Sequence, residues 1–161
     1  MIFVALGTQA TGFNRCLKML DEMVEHFQIK EEIIVQIGNS QYQSENFKMI
    51  PFVSEEVFKQ YINDASVVIS HAGSGALFNA IKKHKKLIAV ARLKKYHEMV
   101  DDHQTELVKK LSEEGYIIDG TYSLIEAWKK LDGFEPRIND FSCRIIEEVR
   151  KTLNLWIGDN A

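Results

Sequence analysis

Short runs rich in valine and isoleucine alternate along this chain with longer stretches whose apolar residues recur every three or four positions. The short runs have the length and composition of buried strands, and the longer stretches have the periodicity of amphipathic helices. This alternation is typical of a parallel sheet covered by helices. The predicted strands are 2–6, 32–37, 47–50, 66–70, 87–91 and 116–118, and the predicted helices are 13–27, 54–62, 76–83, 102–113, 123–131 and 140–155. The expected fold class is α/β, a Rossmann-like doubly wound parallel sheet.

Length and composition favour one globular domain. A chain of 161 residues can bury the core of one α/β domain but is too short for two. We therefore expect residues 1–161 to form a single domain. The 45% of hydrophobic and 27% of charged residues are ordinary for a soluble protein. A net charge of -3 supplies no general attraction to nucleic acid, so no nucleic-acid partner is expected.

The cysteines and the first residues indicate a reducing compartment. Cys16 and Cys143 both fall on predicted helices, where small buried side chains are expected rather than a disulfide or a metal site. The apolar run 2–6 is far shorter than the ~20 residues of a membrane span, and it lacks the flanks of a leader peptide. We expect a cytoplasmic chain that reaches a membrane through a partner or a surface patch.

Ligands of open parallel sheets bind at the carboxyl ends of the strands, where the loops into the following helices cluster. Four such loops are predicted, at 7–12, 38–42, 71–75 and 92–104. The most distinctive has the sequence Ser-His-Ala-Gly-Ser-Gly at 70–75. Its glycines allow close approach of the backbone, and the start of the following helix favours a diphosphate. A plain tight turn is the alternative interpretation.

The loop after the first predicted strand has a similar arrangement. Here a phosphate or a reacting sugar could meet backbone amides and the Thr8 hydroxyl, between Gly7 and Gln9. The spacing of Gly7 and Gly12 does not fit the G-x-G-x-x-G fingerprint, and the chain contains no G-x-x-x-x-G-K-[ST] motif. The sequence therefore disfavours both dinucleotide binding of the NAD type and P-loop phosphotransfer.

A polar group opens the predicted helix 102–113. Asp101 or Asp102 suits the N-cap, whereas His103 and Gln104 are not needed for capping. These two side chains are therefore candidates for binding sugar hydroxyls or a phosphate. The histidines and cysteines of the chain lack the spacing of metal ligands, so no metal site is expected.

Positive charge is concentrated at 82–86 and continues at Arg92, Lys94 and Lys95. Such a run is typical of a solvated helix end whose charges complement the helix dipole. The alternative is a surface that faces anionic lipid headgroups.

Taken together, these motifs resemble the donor-binding half of family 28 glycosyltransferases. The resemblance runs from 7–9 through 69–75 to 102–104 and so covers nearly the whole chain. It is closer still to the stand-alone small subunits of two-part transferases, both in the dolichol pathway and in the PssE type of bacterial capsule and exopolysaccharide synthesis. The stretches 1–4, 13–15 and 100–104 look especially like the bacterial branch. The resemblance implies one donor-binding lobe of a GT-B fold.

The resemblance also implies roles for individual residues. Backbone groups at Phe52 and Val53 would hold the uracil, and the turn 71–75 would hold the diphosphate. The position that usually carries a ribose-binding glutamate is Asn79 here, a departure that gives up a charge. The implied donor-binding residues are Gly7, Thr8, Gln9, Phe52, Val53, His71, Gly73, Ser74, Gly75 and Asn79, and the implied catalytic residues are Asp102, His103 and Gln104.

The implied activity is inverting transfer, without metal or other cofactor, of a hexose or N-acetylhexosamine from a UDP-sugar, with galactose or GlcNAc favoured. The acceptor would be a lipid-linked saccharide of capsule or exopolysaccharide synthesis. The reaction needs a base and stabilisation of the leaving UDP, and the base lies on the loop 7–12 or on a partner.

A lone donor lobe implies a membrane-anchored, acceptor-binding partner, which would hold the chain at the inner face of the membrane. The predicted terminal helix 141–157 ends in an apolar group around Trp156 and is the expected docking segment. Packing of Trp156 on the domain's own core is the alternative.

Two other functions stay open at this point. A non-catalytic, regulatory subunit that binds UDP-sugar is favoured by the departure at Asn79. A stand-alone UDP-sugar-modifying enzyme, such as a 2-epimerase, would be active without a partner.

Overall fold

The computed structural model describes residues 1–138. In this part of the chain, six strands form one parallel sheet with the order β3-β2-β1-β4-β5-β6. The strands are β1 (Ile2–Ala5), β2 (Ile33–Gln36), β3 (Lys48–Ile50), β4 (Val67–His71), β5 (Lys86–Val90) and β6 (Ile118–Asp119). The helices are α1 (Asn14–Phe27), α2 (Glu55–Asp64), α3 (Ser74–Lys82), α4 (His103–Glu113) and α5 (Leu124–Lys129), and a 3-10 turn spans Lys94–Tyr96. The predicted α/β doubly wound parallel sheet is confirmed.

Apolar side chains cover both faces of the sheet, because successive residues of a strand point to opposite sides. On one face, Ile2 and Val4 join the cluster that contains Leu17 and Leu20 of α1. On the other face, Phe3 belongs to the cluster that contains residues of α3 and α4. Burial on both faces explains why the strands are nearly continuous apolar runs in the sequence.

The predicted boundaries of the described elements agree with the observed ones within two residues. Ser54 caps α2, and its hydroxyl accepts a hydrogen bond from the Val57 amide at 3.3 Å. Helix α3 begins at Ser74 rather than at the predicted residue 76, with Gly73 as its N-cap. Glycine is well tolerated at an N-cap, where the backbone is not yet helical. The predicted helix 140–155, which carries Cys143, and the following Trp156 lie outside the described residues.

The basic residues do not form one continuous surface, contrary to the single run seen in the sequence. Lys86 begins β5 whereas Arg92 follows its end, so about 17 Å of strand separates the two groups. The Arg92 side chain is buried, with 1% exposure. Lys85 donates to the Ala65 carbonyl and Lys86 to the Leu131 carbonyl, both at 3.0 Å. Two of these lysines therefore satisfy chain carbonyls. Over residues 1–138, no helix combines the length and the apolar character needed to cross a bilayer.

Candidate functional site

The crevice between β1 and β4 is the point from which the chain winds in opposite directions across the sheet. In open α/β sheets, such a switch point is where ligands bind, at the carboxyl ends of the strands. The loop after β1 and the turn after β4 meet here, because β1 pairs with β4 along the whole length of β1. The two glycine-containing loops predicted from the sequence therefore lie side by side.

His71 lies between two glycines at this crevice. A Cβ atom added to Gly73 would lie 2.1 Å from the His71 Nε2 atom, and one added to Gly7 would lie 2.5 Å from it. The other ring nitrogen, Nδ1, lies 3.0 Å from the Ala5 carbonyl oxygen. A carbonyl can only accept, so Nδ1 carries the hydrogen and Nε2 faces the glycines. Both glycines are needed because any side chain would occupy the place of the ring.

The electrostatic environment keeps the His71 ring neutral. Burial lowers its pKa below the ordinary value, and the nearby Arg92 charge acts in the same direction, while the hydrogen bond to Ala5 opposes them. The Nε2 atom therefore presents a lone pair to the crevice at neutral pH. An ionisable ring with one fixed nitrogen and one nitrogen facing a crevice can bind a ligand or transfer a proton.

Helix α3 starts directly beside this ring. The Gly73 carbonyl accepts from the Leu77 amide at 3.1 Å, which closes the first turn. The first-turn amides of Ser74 and Gly75 have no partner within the helix, and with the helix dipole they favour an anion. One turn later, the Asn79 amide nitrogen donates to the Gly75 carbonyl at 2.8 Å. This bond leaves the Asn79 oxygen as the acceptor that could meet a ligand hydroxyl.

The loop after β2 supports the loop after β1. The Asn39 side chain donates to the carbonyls of Gln9, at 2.8 Å, and Thr8, at 3.3 Å. Gly38 has a φ of +57°, and a Cβ atom there would lie 2.3 Å from the Gly7 carbonyl oxygen. The sequence singled out both loops but not this support, which depends on the pairing of β1 with β2.

Phe52 and Val53 lie just beyond β3, at the edge of the sheet. The Gly38 amide donates to the Pro51 carbonyl at 3.0 Å, which extends the contact between β2 and β3. The Phe52 ring is 49% exposed and lies 3.8 Å from the position of a Gly38 Cβ. An exposed aromatic ring beside a backbone turn can pack against a planar base.

The polar group at the start of α4 is partly used by the chain itself. The Asp101 carboxylate accepts from the His103 amide at 3.1 Å, so Asp101 satisfies the first turn. The Asp102 carboxylate accepts from the Lys94 amide at 2.8 Å. The Gln104 side-chain oxygen accepts from the Arg92 amide at 2.9 Å. Asp102 and Gln104 thus fix the loop after β5, and the Gln104 amide nitrogen is the group that remains for a ligand.

The described site residues occupy two flanks of the carboxyl edge. Phe52 follows β3, whereas Gln104 follows the loop after β5, and four strand spacings separate these strands, about 19 Å. Gly7, His71 and Gly73 lie in contact between the two flanks. The structure therefore brings the two glycine loops together and keeps Phe52 and Gln104 apart on opposite flanks.

A buried ionic network beside the site was not predicted. The Glu98 carboxylate accepts from the Arg15 Nε atom at 2.9 Å and from the Leu93 amide at 2.9 Å. Arg15 also donates to the Ala91 carbonyl at 2.7 Å. In the sequence these charges fall on a helix start and on a loop, where charged residues are usually solvated, so their burial gave no local signal.

A cleft of about 640 Å³ opens between the loop after β1 and the loop after β5. Gln9 and Thr11 of the first loop line it, whereas His71, Gly7 and Gly73 do not. The other lining residues are Lys94, His97, Glu98, Met99 and Val100. Polar, charged and apolar groups therefore surround a space next to the crevice.

Two sequence relatives of this chain are subunits of UDP-N-acetylglucosamine transferases. The human UDP-N-acetylglucosamine transferase subunit ALG13 (Homo sapiens) is 30% identical over 125 residues, which cover 72% of this chain and 10% of the human protein. The same subunit of Candida glabrata is 28% identical over 99 residues, which cover 61% of this chain and 46% of that protein. The chain thus spans less than half the length of these relatives.

Solved structures share the fold. The NMR solution structure of ALG13 superposes with a TM-score of 0.58 at 18% identity and covers 88% of this chain and 89% of that chain. The crystal structure of MurG from Acinetobacter baumannii superposes with a TM-score of 0.55 at 18% identity and covers 80% of this chain and 39% of that chain. These likenesses confirm the expected Rossmann-like lobe of the GT-B kind. Residues 1–142 match the model of the glycosyltransferase family 28 C-terminal domain, and the chain therefore belongs to that family.

Proposed function

We propose that this chain binds a UDP-sugar along the carboxyl edge of its sheet and is the catalytic, donor-binding subunit of a two-component inverting glycosyltransferase. The observation that carries the proposal is the crevice in which His71 lies between Gly7 and Gly73, next to the start of α3. Backbone amides and a helix dipole converge there, as a diphosphate requires. The family membership of the chain supports the same activity.

We assign the other parts of the nucleotide sugar to the residues that the family resemblance implies. Uracil would pack at Phe52 and Val53, and the ribose would meet the oxygen of Asn79. The diphosphate would lie against Ser74 and Gly75 beside Gly7, and Thr8 and Gln9, further along the same loop, would meet the transferred sugar. The sugar would face Asp102, His103 and Gln104 on the other flank.

The chemistry would be a single displacement at the anomeric carbon of the sugar. The first-turn amides of α3 would stabilise the leaving UDP, since preorganised donors are effective where charge develops. The base that takes the acceptor proton would lie on the loop 7–12 or on a partner. The chain would supply binding and leaving-group stabilisation without a metal or other cofactor.

The sugar, the acceptor and the partner form the finer part of the proposal. A relative described as a UDP-N-acetylglucosamine transferase subunit favours GlcNAc over galactose. We propose a lipid-linked saccharide acceptor of capsule or exopolysaccharide synthesis, bound by a membrane-anchored partner at the cytoplasmic face. The segment 141–157, proposed to dock on that partner, lies outside the described residues.

Coexpression tests the activity. The chain would be produced together with a candidate membrane-anchored partner, and transfer from radiolabelled UDP-GlcNAc or UDP-galactose to a lipid extract would be measured. We expect a labelled lipid product from the pair and none from either chain alone. Turnover of free UDP-sugar by the isolated chain would favour the 2-epimerase alternative. Full activity of a His103→Ala, Gln104→Ala double variant would favour a regulatory subunit.

Replacement of Gln104 separates sugar recognition from support of the loop. We expect Gln104→Ala to lower the transfer rate at least tenfold and UDP affinity by less than about threefold, because one hydrogen bond contributes roughly 1 kcal/mol and an unpaired buried group costs more. Gln104→Glu keeps an oxygen for the Arg92 amide and removes the amide nitrogen. Equal losses of UDP affinity and transfer in the alanine variant would assign Gln104 a structural role.

The fixed tautomer of His71 predicts proton uptake when a diphosphate binds. A phosphate oxygen and the neutral Nε2 atom are both acceptors, so a hydrogen bond between them requires a protonated ring. Binding would then raise the His71 pKa, and affinity for UDP-GlcNAc would increase as the pH falls from 8 toward about 6. Calorimetry at pH 7 in buffers of different ionisation enthalpy measures this uptake, with His71→Gln as the control. Absence of uptake in the wild type would mean that Nε2 does not face the diphosphate.

A further inference from the structure

Arg92 joins two strands that are not neighbours. Its side chain is 1% exposed and extends from the end of β5 to the loop after β1, although β4 lies between them. The Nη2 atom donates to the Leu6 carbonyl at 3.1 Å. The Nη1 atom donates to the carbonyls of Thr11, at 3.0 Å, and Gly12, at 3.2 Å. One guanidinium group therefore holds both ends of the loop 7–12.

This arrangement is costly for stability alone. Burial penalises the charged guanidinium and lowers its pKa, and the Glu98 carboxylate opposes that shift in part. The buried Nε atom has no hydrogen-bond partner among the described residues. The Phe13 ring, with its centroid 4.5 Å from Cζ, supplies a cation–π contact. The guanidinium is therefore buried at a desolvation cost, and its three carbonyl contacts all lie at the two ends of one loop.

The loop that Arg92 holds takes part in both the crevice and the cleft. Gly7, at its start, lies against His71, and Gln9 and Thr11, further along, line the cleft. The backbone amide of Arg92 donates to Gln104, so the same residue also contacts the start of α4. Movement of this loop would therefore shift the groups proposed to meet the sugar, while Phe52 and Ser74 would keep their places.

We propose that Arg92 is a positioning residue for glycosyl transfer, which fixes the loop 7–12 between the diphosphate crevice and the cleft without contacting the nucleotide. This inference rests on the proposed function. It means that the loop 7–12, and not the residues that bind the nucleotide, sets the position of the sugar relative to the acceptor hydroxyl. Small displacements of that geometry cost large factors in rate.

The test compares Arg92→Met with Arg92→Lys, and Lys109→Met is the control because Lys109 is an exposed cation of α4. Amide hydrogen exchange of residues 8–12 would be measured in the isolated chain, together with UDP affinity. Transfer would be measured in the coexpressed pair.

In Arg92→Met we expect loop exchange at least tenfold faster, UDP affinity within about threefold of the wild type, and kcat at least tenfold lower. Arg92→Lys, which can reach part of the carbonyl set, should be intermediate. The Lys109→Met variant should match the wild type in all three measurements.

Two results would overturn the proposal. Unchanged loop exchange in both Arg92 variants would mean that Arg92 does not fix the loop. Parallel losses of UDP affinity, kcat and melting temperature would mean that Arg92 has a general structural role. If Arg92→Met does not fold, the Arg92→Lys variant decides between these outcomes. A wild-type pair that binds UDP but transfers no sugar would contradict the proposed function instead, and the exchange measurement would still report on Arg92.

Discussion

Replacing Gly73 with valine is expected to abolish measurable UDP binding while the domain remains folded. The backbone at Gly73 has φ −79° and ψ 129°, a conformation that valine adopts without strain. Its Cβ atom, however, would lie 2.1 Å from the His71 Nε2 atom, so the ring must move and lose its hydrogen bond to Ala5. Calorimetric titration with UDP and a thermal unfolding curve measure the two parts of this prediction.

Gly75→Ala is the matched control in the same turn. A Cβ atom at Gly75 meets no heavy atom within 4 Å, and the backbone amide is kept, so UDP affinity should change by no more than a few-fold. If Gly73→Val binds UDP as tightly as the wild type, the diphosphate does not lie at this turn. If Gly75→Ala loses binding equally, crowding around His71 is not the cause.

Replacing Glu98 with alanine is expected to produce the largest loss of stability, about 3 kcal/mol in the free energy of unfolding. The side chains of Glu98 and Arg15 are 6% and 17% exposed. Removal of the carboxylate leaves the Arg15 charge without its partner and the Leu93 amide without its acceptor. Breaking one member of a buried pair typically costs about 3–5 kcal/mol. Urea unfolding at pH 7 measures the change.

Two further variants calibrate this result. Glu98→Gln keeps an acceptor for the Leu93 amide but not the charge, so its loss should be smaller. Glu55→Ala removes a carboxylate from the exposed pair with Lys59 and should cause no measurable change, because exposed pairs contribute little. A loss below about 1 kcal/mol for Glu98→Ala would mean that desolvation of the buried pair cancels its attraction.

The elements of the fold followed from local patterns. The apolar runs of β1 and β5 and the periodic apolar positions of α1 predicted those elements within one residue. Such signals are local because a strand or helix must bury its own apolar side chains. The order of the strands was not available in this way, since every strand of a doubly wound sheet has a similar composition.

The glycine loops of the candidate site could be predicted from the sequence, but the buried charged residues that hold those loops could not. Gly73 and Gly7 mark places where the backbone must approach another group, and this requirement is visible in the residue type itself. Arg92 and Glu98 carry charges that a loop normally exposes, so their roles depend on which distant backbone groups surround them. The sequence likewise joined Lys86 and Arg92 in one basic run, although β5 separates them.

The sequence by itself determined the α/β class, the helix caps such as Ser54, and the family to which the chain belongs, because these depend on residue types at fixed local spacings. The tertiary structure decided that His71 points its Nε2 atom between Gly7 and Gly73, and that Arg92 spans from β5 to the loop after β1. Contacts of this second kind join residues more than 60 positions apart. They exist only once the parallel pairing of β1 with β4 has brought the carboxyl ends of the strands together. No local pattern in the sequence predicts which distant residues will meet there.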